Sequence, residues 1–293
     1  MAVTTNTTTT TQITVQAKEI DFASRFESNW QALIDILGIM NPVRKTPGTV
    51  LSASVAEVTL QSGDVAEGDE VPLSQATVTP KVFENLKLKK YRKRVTAEAV
   101  EKFGAAIASQ KTDDAFISEI TTEVLDSFYS FIQTGSLAST YDSFQMAVSM
   151  AIASVKDKFK KAHLTHDNIV VFVNTLDVGK YLGNGEITIQ TRNGIDYFQD
   201  YLGARTVIVS SDIPEGTVIA TPASNIVLYY IDPADDDLKE IGLVYTTSGN
   251  PTSLIGVHKE GVYGRVSGDT HAIVGMKLFA EYIDGIAVNT ITA

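Results

Sequence analysis

The chain has 293 residues, 44% of them hydrophobic, and a formal charge of −11 from 24 Lys and Arg against 35 Asp and Glu. That length and apolar fraction suffice for a folded globular protein with a real core, and the negative charge argues against a surface that grips nucleic acid over its whole extent. Cysteine is absent, which excludes disulfides and thiolate metal sites, so cohesion must come from packing or from assembly.

Two further features bear on location. No apolar run reaches the roughly 18 residues that a membrane helix needs, and the N-terminus lacks the basic, apolar and small-residue order of a signal peptide. We therefore expect the protein to stay in the cytoplasm where it is made and to have no membrane partner.

The N-terminal segment divides into two parts. Residues 4–11 are seven threonines and one asparagine, a composition that predicts an extended or disordered arm. Apolar residues then recur at helical spacing from Phe22 to Met40, before Pro42, and predict a short amphipathic helix that packs on a larger body, its own or a neighbour's.

Residues 50–95 alternate in the manner of strands, with turn-forming clusters at residues 61–64 and 67–70. We expect further strands over residues 76–81 and 83–94. Because large apolar residues are too few here for an independent core, a long hairpin in this segment must find its partner surface elsewhere.

Charge is segregated within this segment. Acidic residues cluster near the turns and basic residues on the expected return strand: Asp64, Glu67, Asp69 and Glu70 against Lys87, Lys89, Lys90, Arg92, Lys93 and Arg94. An acidic tip on one copy can meet a basic strip on the next, an arrangement that steers docking and register. The alternative is that both clusters are solvated strand faces and turns.

Three helices are expected next. The first covers residues 96–110 with Val100, Phe103 and Ile107 on one stripe; the second covers residues 112–133 with Thr112 as its cap, and a helix of about 22 residues spans about 33 Å. The third covers residues 141–161 and carries four lysines near its C-terminal end, where the helix dipole favours them.

The remaining chain predicts a mixed α+β domain. Residues 169–173 are a continuous apolar run typical of a buried strand, and Asn174 is placed to cap a short helix that ends near Leu182. Short strands are expected at residues 206–210, 216–221, 226–231 and 254–263, and the apolar residues 271–290 are expected to tie the C-terminus into a sheet.

Sites for chemistry are sparse. The phosphate loop, the His-Glu-x-x-His pair and the Gly-x-Ser-x-Gly elbow are missing from the sequence, and Gly183-Asn-Gly185 breaks the dinucleotide fingerprint at its third glycine. His163, His166 and Asp167 could form part of a metal site but are better explained as a solvated helix end. Residues 232–240, with Asp232, Asp235, Asp236, Asp237 and Glu240, do not match a calcium loop and indicate a polar loop. We predict no catalytic residue, metal or cofactor.

The order of these pieces resembles the major capsid proteins of tailed bacteriophages, which have the Hong Kong 97 fold. The segment Ser62-Gly-Asp-Val-Ala-Glu-Gly-Asp-Glu-Val-Pro-Leu-Ser74 resembles the family's E-loop, residues 87–95 its return strand, and residues 112–133 its spine helix. Residues 169–182, together with Gly203-Ala-Arg-Thr-Val-Ile-Val-Ser210 and Ile213-Pro-Glu-Gly216, are similar to the axial domain.

The resemblance implies an α+β Hong Kong 97-like capsid fold with four parts. These are an N-terminal arm with a short amphipathic helix at residues 1–49, an extended E-loop hairpin at 50–95, a peripheral domain with a long spine helix at 96–140 plus about 240–293, and an axial domain of mixed sheet and helices at 141–239. Family members often carry a long helical scaffolding region before the body, whereas here only the threonine arm precedes it. The resemblance therefore implies either a separate scaffolding protein or a scaffolding region that has been removed.

The function that the resemblance implies is a structural one, with no enzymatic activity. Copies would form pentamers and hexamers in a closed icosahedral shell that encloses double-stranded DNA without sequence-specific binding, so the protein would reside in the virion. Its expected partners are itself, a separate scaffolding protein, a portal and a decoration protein. The alternatives are an encapsulin-like nanocompartment shell, a tail-tube or other virion protein, and an enzyme acting on carbohydrates or nucleotides.

Overall fold

A computed structural model describes residues 10–37, 42–67, 69–183, 189–192, 195–249 and 253–292. The helices of these residues are α1 Thr10–Leu37, α2 Ala97–Phe103, α3 Thr112–Ile132, α4 Phe144–Lys161, α5 Thr175–Leu182 and α6 Asp236–Glu240. The strands are β1 Val43–Arg44, β2 Val50–Thr59, β3 Gln75–Asn85, β4 Lys89–Thr96, β5 Leu137–Tyr141, β6 Ile169–Asn174, β7 Gln190–Arg192, β8 Ile195–Tyr201, β9 Ala204–Ser210, β10 Thr217–Pro222, β11 Ile226–Tyr230, β12 Ile255–Val262, β13 Ser267–Val274, β14 Met276–Ala280 and β15 Ala287–Ile291.

The strands form four sheets. Their orders are β5-β15-β10-β6-β9-β8-β7, β12-β13-β4, β1-β11-β14 and the hairpin β2-β3. Most pairs are antiparallel, but β6 with β9, β5 with β15 and β1 with β11 are parallel. The expected mixture of helices with mixed sheets is confirmed, and the C-terminal strand β15 is tied between β5 and β10 as predicted.

The core lies on both faces of the seven-stranded sheet. Every residue of β6 is buried, because successive side chains point to opposite faces and both faces are covered. Phe172 meets Phe128 of α3 with 5.6 Å between ring centroids, whereas Val171 and Val173 belong to the cluster built on α4. The predicted buried strand is therefore confirmed, and its continuous apolar run reflects its central position.

Helix α1 begins at Thr10 and not at Phe22, so the expectation of a non-helical arm is wrong for Thr10 and Thr11. Residues 4–9 lie outside the described residues. The predicted stripe is buried, with Phe22, Phe26 and Trp30 almost fully enclosed. Once such a stripe fixes a helix, each added residue extends it at little cost, which outweighs the weak helix propensity of threonine.

Helix α1 is packed on its own subunit through two buried carboxylates. Glu19 accepts hydrogen bonds from the Lys259 backbone N–H at 2.7 Å and the Thr246 hydroxyl at 2.6 Å. Glu27 accepts from the Leu254 backbone N–H at 3.1 Å. The sequence left open whether this helix packs on its own subunit or on a neighbouring one. For the residues that the structure describes, these bonds show that it packs on its own subunit.

The helix predicted over residues 96–110 is interrupted. Thr96 caps α2, but Gly104 has a φ of +79° and ends it, and a π-helical turn, Ala106–Lys111, leads into α3. The predicted stripe of Val100, Phe103 and Ile107 is exposed, so it does not join the core of this subunit.

Helix α3 spans nearly the predicted range, and its stripe from Ile117 to Ile132 is buried. The prediction that Thr112 caps it is wrong. Lys111 occupies that position without a side-chain cap, and the Thr112 hydroxyl donates to the Ala108 carbonyl at 2.7 Å. Because the π-helical turn runs directly into α3, the first N–H groups of α3 already have a helical turn before them and need no cap.

In the second half of the chain most of the predicted helices and strands are present, although their ends differ from the predicted ones. Ser143 caps α4, and Tyr141, which was expected in that helix, lies in β5. Asn174 caps α5 as predicted, its side chain accepting from the Leu176 N–H at 2.6 Å. Strands β5, β7 and β8 were not predicted, because they are partly exposed and lack the apolar alternation on which strand prediction depends.

Candidate inter-subunit contact surfaces

The hairpin β2–β3 joins no other strand in the described part of the chain. Its register runs from Val50 opposite Asn85 to Thr59 opposite Gln75. At its base the Leu86 N–H donates to the Thr49 carbonyl at 2.9 Å, and Leu51 and Leu86 are buried. The base therefore belongs to the body of the subunit, and the strands extend away from that anchor.

The far end of the hairpin, residues 60–74, which we call the tip, is exposed at every described position. Its leucines have nothing to pack on: Leu60 is 77% exposed and Leu73 is 92% exposed. A two-stranded hairpin is at best marginally stable in water, and apolar surface left open on an extended element marks an interaction site. The tip therefore leaves apolar surface open that the described part of its own subunit does not cover.

The four acidic residues named in the sequence analysis all lie in the tip. Asp64, Glu67, Asp69 and Glu70 are exposed, and within the described residues none of them forms an ion pair. Four like charges that lie close along the chain without counter-charges make the tip strongly negative, so a basic surface on another molecule would attract it.

The six basic residues do not lie on the return strand of this hairpin, which corrects the sequence analysis. The return strand β3 ends at Asn85, and all of the basic run except Lys87 belongs to β4, which pairs with β13 in another sheet. The boundary has a physical cause. Leu86 is buried at the base of the hairpin, so the chain enters the body there and β4 takes its partner from the body.

One set of β4 side chains is directed at α3. Lys89 pairs with Glu123 at 2.8 Å, and the Tyr91 hydroxyl donates to the same carboxylate at 2.8 Å. The pKa of Glu123 is lowered, most by the hydrogen bond from Lys89 and next by the hydrogen bond from Tyr91. Lys93 forms an ion pair with Asp113 at the start of α3. Lys89 and Lys93 therefore fasten their own sheet to their own helix.

The alternate side chains of β4 face the other side of the sheet. Arg92 and Arg94 both bind Asp269 of β13, which is 1% exposed, with an Arg94 Nε to carboxylate distance of 2.6 Å. The Arg94 hydrogen bond is the largest cause that holds the pKa of Asp269 well below its usual range. Lys87 and Lys90 are exposed, and no ion pair joins them to another described residue.

Of the other sequence candidates, the segment from Asp232 to Glu240 is a polar loop only up to Asp235, because its second half forms the short helix α6. Arg44 lies 3.3 Å from Asp232 and 3.6 Å from Asp235, and Lys239 pairs with Asp236 at 2.9 Å. The glycine motif at residues 183–188 falls largely outside the described residues. His163 and His166 follow the end of α4, as expected of a helix end.

The structure brings together one acidic cluster that the sequence analysis missed. Glu260, Asp269 and His271 have ligand atoms within 4.8 Å of one another. Both carboxylate oxygens of Asp269 accept hydrogen bonds from arginines, either Arg92 or Arg94. The charge of this carboxylate is therefore already neutralised, and the group suits a metal cation poorly. Asp269 and His271 are two residues apart on β13, but Glu260 joins them only because β12 pairs with β13, and the sequence gives no signal of that pairing. Among the described helices, none combines the length and the apolar character that a membrane crossing requires.

Comparison of the sequence with protein-family models and with curated proteins finds no match. Solved structures do match. The capsid asymmetric unit of cyanophage A-1(L) aligns with a TM-score of 0.55 at 12% identity, covering 89% of this chain and 93% of the other. The capsid of cyanophage P-SCSP1u aligns at 0.54 and 8% identity, covering 86% of each chain.

A third similar structure is the holo-SrpI encapsulin complex from Synechococcus elongatus, with a TM-score of 0.51 at 9% identity over 89% of this chain and 86% of the other. The alignments cover most of both partners and join chains whose sequences have diverged almost completely. The chain therefore has the Hong Kong 97-type capsid fold, as the order of its sequence motifs predicted.

Proposed function

We propose that this chain is the major capsid protein of a tailed bacteriophage, a shell subunit that assembles with copies of itself into pentamers and hexamers of an icosahedral head. The head encloses double-stranded DNA, and the subunit resides in the virion after assembly in the host cytoplasm. The fold shared with phage capsid structures supports this proposal. In this role the chain is structural and carries out no reaction.

The observation that carries the proposal is the hairpin tip, whose exposed leucines and unpaired acidic residues have no partner among the described residues of their own subunit. In a shell, the tip lies on an adjacent copy, where its apolar side chains are covered and its acidic residues meet basic ones. Contacts of this head-to-tail kind repeat, and they close into a shell when the rotation between copies allows it. Each interface can be modest, on the order of 1,000 Å², because many act together.

The basic counterpart in this proposal is narrower than the full set of Lys87, Lys89, Lys90, Arg92, Lys93 and Arg94. Four of these residues are engaged within their own subunit, which leaves Lys87 and Lys90 as the side chains available to a neighbouring tip. A separate scaffolding protein, a portal and a decoration protein complete the proposed set of partners.

The test is a pair of variants that each replace two exposed leucines by serine. Leu60→Ser with Leu73→Ser removes the leucines of the tip, and Leu176→Ser with Leu202→Ser removes leucines that are 59% and 46% exposed elsewhere. We expect the tip variant to remain folded by circular dichroism but to lose shells in negative-stain microscopy, while the second variant assembles. A wild-type chain that stays monomeric at high concentration, or a tip variant that assembles normally, would contradict the proposal.

The similarity to an encapsulin favours one alternative, a nanocompartment shell with a protein cargo. The two functions differ in what the particle contains. Particles isolated from their natural source should yield double-stranded DNA on extraction if the chain is a phage capsid protein. An enzyme cargo in place of DNA would favour the nanocompartment.

A further inference from the structure

One face of the β12–β13–β4 sheet brings together two of the four histidines in the chain. His258 on β12 lies directly opposite His271 on β13. Side chains that are directly opposite on antiparallel strands project to the same face, with Cβ atoms about 5 Å apart. The two imidazole rings have centroids 6.4 Å apart, and two imidazoles bound to one zinc ion have centroids about 5 to 6 Å apart. The pair is therefore close to the spacing at which both rings reach one metal ion.

A carboxylate lies beside this histidine pair. Glu260 is two positions after His258 on β12 and so projects to the same face, and its Oε1 atom lies 3.2 Å from Nε2 of His271. Two ligand atoms that are each about 2.1 Å from a tetrahedral metal ion are about 3.4 Å apart. The observed separation also fits a hydrogen bond, and it is the second histidine that makes this group a set of three metal ligands.

The three side chains are accessible and have few competing partners. His258 and Glu260 are exposed, and the His271 side chain is 29% exposed. Apart from the contact between Glu260 and His271, no hydrogen bond or ion pair joins any of the three side chains to another residue in the described part of the chain. Exposed side chains change rotamer within nanoseconds, so the His258 ring can turn towards His271 and Glu260.

The charges around the three ligands nearly cancel. Arg92 and Arg94 project to the same face but are both bound to Asp269, so neither of them forms an ion pair with Glu260. The two guanidinium groups are balanced by the carboxylates of Asp269 and Glu260, which leaves Lys90 as the unbalanced cation two positions before Arg92. The chemistry of the ligand atoms therefore selects the ion. Imidazole nitrogens suit zinc, copper and nickel, whereas magnesium and calcium prefer sites made of oxygen atoms alone.

We propose that His258, His271 and Glu260 bind a divalent transition metal of the zinc class, with water completing the coordination. The metal links β12 to β13 and so stabilises the sheet to which β4 belongs. This inference goes beyond the proposed function and does not depend on it, because one subunit supplies all three ligands. It differs from the prediction of no metal made from the sequence, which could not show that β12 pairs with β13.

Zinc titration measures the site. Untagged full-length protein is stripped of metal with a chelator, dialysed and titrated with zinc chloride in a calorimeter. We expect one zinc ion per chain, and binding at least about tenfold weaker for His258→Asn and for His271→Asn. The matched control is His163→Asn, because His163 is exposed outside this sheet and asparagine tolerates its φ of 55°. Magnesium chloride should give no binding signal, since two of the three ligands are imidazoles.

The outcomes of the titration are distinct from those of the assembly experiment. A wild-type chain that binds no zinc overturns the metal site, and so does equal affinity in the wild type and in both sheet variants when circular dichroism shows that they are folded. Glu260→Gln, which keeps the size of an exposed side chain and removes its charge, should weaken binding several-fold, and unchanged affinity would contradict a site with three ligands. None of these results bears on shell formation, which the hairpin-tip variants test.

Thermal denaturation provides a second measurement. A metal that binds only the folded chain raises its stability, so excess zinc should raise the Tm of the wild type and of His163→Asn but not that of His258→Asn or His271→Asn. A chelator should reverse the shift. An equal rise in all four proteins, or no rise in the wild type, would show that no metal links β12 to β13.

Discussion

Asp269 shows how a single residue organises the β12–β13–β4 sheet. It is almost fully buried on β13 and is bound by two arginines from the adjacent strand, Arg92 and Arg94. A buried carboxylate is costly unless it is paired and hydrogen-bonded, and here both conditions are met. The same pairing that holds the carboxylate ionised withdraws the two arginines from contacts with other copies.

The depressed pKa of Asp269 predicts a particular pH dependence. A carboxyl whose pKa is lowered by folding stabilises the fold fully above its unfolded pKa, about 4, and this contribution is lost as the pH falls through the folded pKa. We expect Asp269→Asn to lower the free energy of unfolding by a constant amount between about pH 5 and 8, with the deficit shrinking below about pH 4. Urea denaturation of both chains across this range measures it.

The matched control is Asp64→Asn, since Asp64 is exposed in the tip. It should leave the free energy of unfolding of the subunit within about 0.5 kcal/mol of the wild type at each pH. A deficit for Asp269→Asn that stayed constant down to pH 2 would contradict the assignment.

At the scale of the element, the basic side chains of β4 have different roles. Lys89 and Lys93 hold the sheet on α3, Arg92 and Arg94 hold Asp269, and Lys90 remains exposed on the same strand. Because neighbouring strand positions face opposite sides of a sheet, two adjacent or nearly adjacent lysines can have unrelated roles. A charge reversal of the whole run would therefore disrupt the subunit as well as its contacts.

Separate reversals distinguish the two roles. Lys93→Glu places a like charge beside the largely buried Asp113 and should lower the free energy of unfolding by about 3 kcal/mol or more, the range for breaking a buried ion pair. Lys90→Glu should leave that free energy within about 0.5 kcal/mol and slow particle formation. Denaturation and light scattering measure the two effects, and equal destabilisation by both substitutions would count against this division.

At the scale of the whole molecule, the distribution of charge favours contact between an acidic surface and a basic one. The chain is acidic overall, and its tip carries Asp64, Glu67, Asp69 and Glu70 on an extended hairpin away from the body. Attraction between such a tip and a basic surface acts mainly on encounter and register, and it is screened by salt over about 10 Å at 0.1 M and about 3 Å at 1 M.

The rate of particle formation should therefore fall as ionic strength rises. A tip neutralised by Glu67→Gln with Asp69→Asn should assemble more slowly at low salt and respond less to added salt. Stopped-flow light scattering over a salt series gives both slopes. A neutralised tip with the wild-type salt dependence would show that these carboxylates do not steer assembly.

Much of the fold could be predicted because its signals are local. The stripe of α3, the apolar run of β6 and the Asn174 cap each depend on residues within a few positions of one another. Helical and strand periodicity arise from the backbone geometry of adjacent residues, so the sequence alone determined these elements. The order of the elements was also sufficient to indicate the Hong Kong 97-type capsid fold.

The partner of each strand was decided only by the tertiary structure. Sequence alternation predicted that the basic run is a strand but could not show that it pairs with residues 267–274. Arg92 and Asp269 are separated by 177 positions, and the alternation of one strand contains no information about which distant strand completes its hydrogen bonds. Which cations are bound within the subunit, and which remain for a neighbour, follows from that pairing and so became visible only in three dimensions.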